Sequence, residues 1–174
     1  MTVKNGLIEW DKKLFPENLF RQRLEKLQSL MREQKINLVV IYGDVTESES
    51  LAYYTNFKPY YFSAILCVPL HGEPVLITDL NQRVETWIRT TTFLRRIIFT
   101  KDYADAIQAF CMSLDILPQK IGILESDIFP HQIIDKLKEK LKEVRIVDVS
   151  DIVCLLYTSP SPRDLSTSRM PSSA

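Results

Sequence analysis

The stretch "YYFSAILCVPLHGEPVLITD", residues 60–79, decides what kind of sheet this chain can build. It holds two apolar runs around a break at His71 and Gly72, and Pro74 opens the second run. Two strand-like runs so close in sequence close as a hairpin, and proline is tolerated at the first position of a strand. An antiparallel pair is therefore expected in the sheet.

Working outward toward the amino end, "NLVVIYG", residues 37–43, is a short β-branched run stopped by glycine, and it reads as a buried, central strand. Before it, Phe20, Leu24, Leu27 and Met31 recur at i, i+4, i+7 and i+11, with Arg21, Arg23, Glu25, Lys26 and Arg32 on the other sides. This is an amphipathic helix over residues 17–34, opened near Pro16.

Toward the carboxyl end, Asp79 is placed to cap a helix, with Gln82 three residues on as its box partner, and Leu80, Val84, Trp87 and Ile88 as the apolar face. The strand "LRRIIF", residues 94–99, precedes a helix capped by Asp102 and faced by Tyr103, Ile107, Phe110 and Leu114. "KIGILE", residues 120–125, repeats the order, with a helix from about Pro130 faced by Ile134, Leu137 and Leu141, and "VRIVDV", residues 144–149, closes the series. Strands alternating with helices argue for a single α/β domain, three-layer-like. Its sheet is expected to be mixed and mostly parallel, with one β-hairpin and flanking helices.

Composition bounds the function. At 174 residues with 45% hydrophobic content the chain can build a real core. Lys+Arg and Asp+Glu both total 22, so there is no net field to attract nucleic acid or an anionic membrane, and neither is expected as a partner. No run approaches a membrane span and residues 1–10 lack a signal-type apolar stretch, which makes the expected location cytoplasmic. Cys67, Cys111 and Cys154 are scattered among apolar neighbours and read as small buried hydrophobes.

The catalytic classes find little footing. His71 and His131 stand 60 positions apart, with no HExxH or CxxC, so no metal centre is expected in the chain. Four single glycines make no phosphate loop, and no GxSxG is present. In "GDVTESES", Asp44, Glu47 and Glu49 follow a strand on the side where α/β sheets hold ligands. They read as a solvated acidic loop, and an acid–base pair of Asp44 and Glu47 is the lesser alternative.

"LAYYTNFKPYYF", residues 51–62, carries six aromatic rings beside Asn56 and Lys58. Tyr53, Tyr54, Asn56, Phe57 and Tyr60 are the candidate residues for a substrate-pocket rim or an interface, because tyrosine offers contact area with a polar tip. A core strand with an aromatic edge is the equally weighted alternative.

From Tyr157 onward the composition changes: of 18 residues, six are Ser, three Pro and two Thr. Ordering such a stretch costs about 1–2 kcal/mol per residue with little apolar area to offset it. A domain over residues 1–156 and a disordered tail over 157–174 are expected. The wording "LLYTSPSPRD...SRMPSSA" resembles translated sequencing-adapter text, which implies that the natural frame departs near residues 154–156 and that the chain is a fragment; a natural tail is the alternative. The apolar run at residues 152–156 fits a missing packing surface, or the end of a last helix.

Four pieces in order resemble the N-terminal domain of the creatinase, prolidase and aminopeptidase P family. They are "RQRLEKLQSLMREQKINLVVIYGD", "LAYYTNF", "CVPLHGEPVLITD" and "KIGILESDIFPHQIIDKLKEKL...VRIVDVSDIV". The resemblance covers about residues 9–153. In the family the segment matching residues 53–57 reads Tyr, Leu, Thr, Gly, Phe, so Tyr54 and Asn56 depart from it; asparagine is tolerated at a glycine position because it visits left-handed backbone geometry.

The resemblance implies a creatinase N-terminal-like fold. It also implies a C-terminal catalytic domain as partner, carrying two divalent metal ions (Mn, Co or Zn) that this chain does not hold, and a peptide or small amide as substrate. It further implies a homodimer in which this domain helps to form the pocket entrance. The chain alone is then inactive. A self-sufficient α/β ligand-binding or protein-interaction module with a natural tail is the alternative reading.

Overall fold

The computed structural model describes residues 10–114, 117–151 and 153. The expectations for Cys154 and for the tail at 157–174 lie outside them.

The amphipathic helix forms as α1, Glu17–Glu33, with Pro16 at its N-cap and Phe20, Leu24, Leu27 and Met31 on its buried face. It delivers the chain into β1, Leu38–Asp44, whose first six residues are buried. After α2, Glu49–Thr55, the hairpin forms from β2, Ser63–Pro69, and β3, Val75–Thr78, both fully buried. Gly72 makes the turn with φ of 100°, a geometry that costs a side-chain-bearing residue dearly. Then follow α3, Glu85–Thr91, β4, Arg96–Phe99, α4, Tyr103–Met112, β5, Lys120–Leu124, α5, His131–Lys140, and β6, Arg145–Asp148.

The six strands form one sheet in the order β4-β3-β2-β1-β5-β6. β1 is central, as its apolar run predicts. β3–β4, β1–β5 and β5–β6 pair in parallel, and β2 runs against both β1 and β3. The hairpin therefore brings two antiparallel contacts rather than one, because the reversed strand sits inside the sheet and not at its edge.

Alternate residues of each strand point to opposite faces, so the continuous apolar runs fill two cores. On one face Val39, Ile41, Leu66 and Leu76 pack against α1, α2 and α3 through Leu27, Leu51, Tyr54 and Ile88. On the other, Val40, Ile65, Cys67 and Ile77 pack against α4 and α5 through Ile107, Phe110 and Leu137. The result is three layers, helices over sheet over helices, as expected. Cys67 and Cys111 are buried free thiols, also as expected.

Two local expectations are corrected. Asp79 does not cap the helix after β3: Asn81 does so, its side chain accepting from the Arg83 amide, and a short 3-10 turn at Gln82–Val84 leads into α3. Asp79 is drawn back to the hairpin, where its Oδ1 accepts from the Ser63 amide at 2.9 Å. The core-strand alternative for residues 51–62 also fails, because the segment opens as α2. Asp102 does cap α4, accepting from the Asp105 amide.

Candidate functional site

All strands but β2 point the same way, so their carboxyl ends gather at one edge of the sheet. The helices that follow neighbouring parallel strands leave to opposite faces at two places. After β1 and β5 these are α2 and α5; after β3 and β4 they are α3 and α4. Such points open the crevices in which α/β sheets hold ligands. Asp44, Asp79, Glu125 and Asp148 follow the strands here, while Arg96, Lys120 and Arg145 open strands at the opposite edge. A net charge of zero thus conceals charges separated along the strand axis.

Each of these carboxylates is already engaged. Asp44 Oδ1 accepts from the amides of Thr46 and Glu47 at 2.8 and 2.9 Å and from Thr46 Oγ1 at 2.7 Å. Glu125 accepts from Ser50 Oγ at 2.7 Å, tying α2 to the end of β5. Asp148 accepts from Ser126 Oγ and from the Ser150 amide. Burial pushes the Asp44 carboxyl up, but the hydrogen bonds from Glu47 and Thr46 outweigh it and leave the group below its ordinary value. Asp148 behaves alike: burial raises it, and the bonds from Ser126 and Ser150 bring it lower. Asp44 is bonded to its own turn and Glu47 is exposed, so the structure gives no enclosed acid–base pair of Asp44 and Glu47.

These depressed values set the acid limb of stability. A carboxylate whose folded pKa lies below its unfolded value of 3.8 stabilises the fold in full above that value and loses the contribution as pH falls through the folded one. Asp44→Asn combined with Asp148→Asn is expected to flatten the fall in unfolding midpoint below about pH 4, measured by circular dichroism against pH.

Tyr103 closes the edge between β2 and β3. Its hydroxyl donates to the Ser63 carbonyl at 2.9 Å, pairs with Ser63 Oγ at 2.8 Å and accepts from the Asp79 amide at 3.1 Å. Burial raises its pKa, so it stays a neutral phenol on the wall of a recess of about 280 Å³ that Tyr42, Ser63 and Lys136 also line.

The aromatic candidates separate. In α2, Leu51, Tyr54 and Thr55 fall on one face and are fully buried, and Phe57, just past the helix, is buried too. Tyr54 and Phe57 therefore belong to the interior. Tyr53 is half-buried, with the Arg23 guanidinium 3.9 Å from its ring centre and donating to its carbonyl. Tyr60 is half-buried edge-on to Trp87 at 4.9 Å.

Asn56 ends α2 with φ of 60°, the left-handed geometry the sequence anticipates, and its amide donates to the Thr91 carbonyl at 2.9 Å. Asn56→Ala is expected to cost about 2 kcal/mol, roughly half from the left-handed backbone and half from the lost bond. Asn56→Gly, which loses only the bond, should cost about half as much in chemical denaturation.

Sequence reasoning passed over the two rings that do face out: Tyr61 and Phe62 are 59% and 50% exposed, with centres 4.1 Å apart. Phe62 sits at φ of 60°, which costs a bulky residue about 1 kcal/mol and holds its ring beside the start of β2. The missed signal was the helix: with residues 49–55 helical, Tyr54 turns inward and only the segment past Phe57 can present rings.

Compared with known proteins, residues 23–156 match the creatinase/prolidase N-terminal domain. The chain belongs to that family. No curated protein matches the sequence significantly. Among solved structures, the domain resembles a proline dipeptidase from Streptococcus pneumoniae TIGR4, with 15% identity and a TM-score of 0.61 over 77% of this chain and 96% of that one. It also resembles the prolidase from Pyrococcus horikoshii OT3, with 15% identity and a TM-score of 0.59 over 83% of this chain and 37% of that one. A third likeness is to the X-Pro aminopeptidase from Thermotoga maritima MSB8, at 15% identity and a TM-score of 0.65 over 82% and 37%. The creatinase/prolidase N-terminal domain described here thus spans a little over a third of the length of those last two chains.

Among the described residues no group of three or more His, Cys, Asp or Glu side chains is arranged to hold an ion. The carboxylates at the carboxyl edge are committed to hydrogen bonds within the fold. Nor is any helix among them long and apolar enough to cross a membrane.

Proposed function

We propose that this chain serves as the non-catalytic N-terminal domain of a cytoplasmic, metal-dependent Xaa-Pro aminopeptidase, dipeptidase or related amidohydrolase. In that role it shapes the pocket entrance and contributes to a homodimer. The observation that carries this reading is the family match across residues 23–156, joined to a fold shared with the N-terminal part of longer prolidases. The partner is then a C-terminal catalytic domain. The family resemblance implies that this catalytic domain holds two divalent ions, manganese, cobalt or zinc. The substrate is a peptide or small amide.

Within this reading the pocket-entrance candidates divide by position. Tyr53 and Tyr60, with Tyr61 and Phe62, offer surface to a partner or substrate; Asn56, Tyr54 and Phe57 act by holding that surface in place.

The purified chain, assayed on Xaa-Pro dipeptides with added manganese, is expected to show no turnover above the metal alone. Turnover that co-purifies with the chain and disappears on chelation would sink the proposal. The two closed cores give one observation in favour of the rival reading, a self-sufficient binding module. An independent read of the gene past codon 154 separates the two, since only the first continues into a catalytic domain.

A further inference from the structure

We propose that the recess at the amino edge of the sheet, on the end opposite the tyrosines, is a binding site for a small monocarboxylate with a compact apolar body. The recess has a volume of about 480 Å³ and lies between the β2–β3 turn and the last turn of α4. That is the size of ordinary small-molecule sites. Leu70, Phe110 and Leu114 supply apolar wall, and Asn37, Arg96 and Glu73 supply the polar groups.

The donors are poised. The Arg96 guanidinium lies 5.1 Å from the centre of the Phe110 ring, which orients it while leaving its N–H fork open, and it takes part in no ion pair among the described residues. An open guanidinium matches a carboxylate in two parallel bonds. Asn37 Oδ1 accepts from the amides of Gln119 and Lys120, both at 3.0 Å, and this fixes the side-chain orientation. Its NH2 is then the group it can offer, a second donor on the wall of the same recess.

The ligand's charge follows from the surroundings. Arg96, Lys120 and Arg145 all open strands at this edge, which favours an anion. Glu73, on the exposed turn, and the carbonyls ending α4 oppose a second negative charge. A single carboxylate satisfies both, with its apolar body against Leu70, Phe110 and Leu114.

Phenylacetate titrated into the isotopically labelled chain, followed by amide chemical shifts, is the test. Saturable shifts are expected at residues 70–73, at Arg96 and at residues 113–114. Arg96→Gln should weaken binding about tenfold, Arg96→Lys less, and neutral phenylacetamide should bind the unaltered chain about tenfold more weakly than phenylacetate. The phenylacetamide comparison needs no variant, so it decides even if Arg96→Gln fails to fold. No saturable shift up to about 10 mM, equal binding of acid and amide, or shifts centred on Tyr61 and Phe62 would each overturn the assignment.

Discussion

Replacing Phe57 by alanine is expected to destabilise the domain by about 3–5 kcal/mol and to lower its thermal midpoint by roughly 10 °C. Phe57 is fully buried, packs edge-on against Trp87 with ring centres 5.8 Å apart, and belongs to the core between the sheet and α1, α2 and α3. Removing the ring forfeits its transfer free energy and leaves a cavity that Trp87 cannot fill without moving α3. The loss is a large part of the roughly 5–15 kcal/mol that holds a domain together. A rim residue would behave otherwise: truncation would leave the midpoint within about 1 °C and alter only what binds. Differential scanning calorimetry of Phe57→Ala beside Phe62→Ala distinguishes the two roles, since Phe62 is half exposed and its truncation removes no core contact.

Gly122→Val is expected to cost about 3 kcal/mol or to prevent folding. A Cβ at this position would lie 2.7 Å from Val149 Cγ1, 3.1 Å from Val149 Cγ2 and 3.4 Å from Val39 Cγ2. β5 is hydrogen-bonded to β1 on one side and β6 on the other, so it cannot shift to relieve the clash. Gly122→Ala meets the same atoms with one carbon and should cost about 1–3 kcal/mol. If the clash with Val149 is the cause, Val149→Ala in the Gly122→Ala background should recover part of that loss in urea unfolding, although Val149→Ala alone is destabilising. A double variant that shows simple additivity would assign the cost to something other than this contact.

Both predictions concern packing, and packing is where the sequence became hard to read. The alternation of strands and helices was legible because hydrophobic period is a local property: Phe20, Leu24, Leu27 and Met31 mark the buried face of α1 whatever lies beneath it. The caps divided. Asp102 caps α4 as its sequence position predicts, while Asp79, in an equally cap-like position, is the partner of the Ser63 amide. The two aspartates look alike in sequence; β2 and β3 pair in a register that brings Ser63 to Asp79, and a long-range bond displaces a local one.

The acidic edge and the basic edge were present in the sequence as strands that begin with Arg or Lys and end with Asp or Glu. They could be seen as edges only once the parallel order of β1, β5 and β6 aligned them.

The chain's own sequence determined its fold class, its helix faces, its central strand and its family, because each rests on residues near one another or on motifs in fixed order. Only the tertiary structure decided that Tyr54 and Phe57 turn inward while Tyr61 and Phe62 face out, and that Asp79, Glu125 and Asp148 are held by serines from other segments. Burial depends on what packs across from a residue, and the partners here, α3 for Phe57 and the end of β5 for Ser50, are drawn from parts of the chain about 30 to 75 residues away.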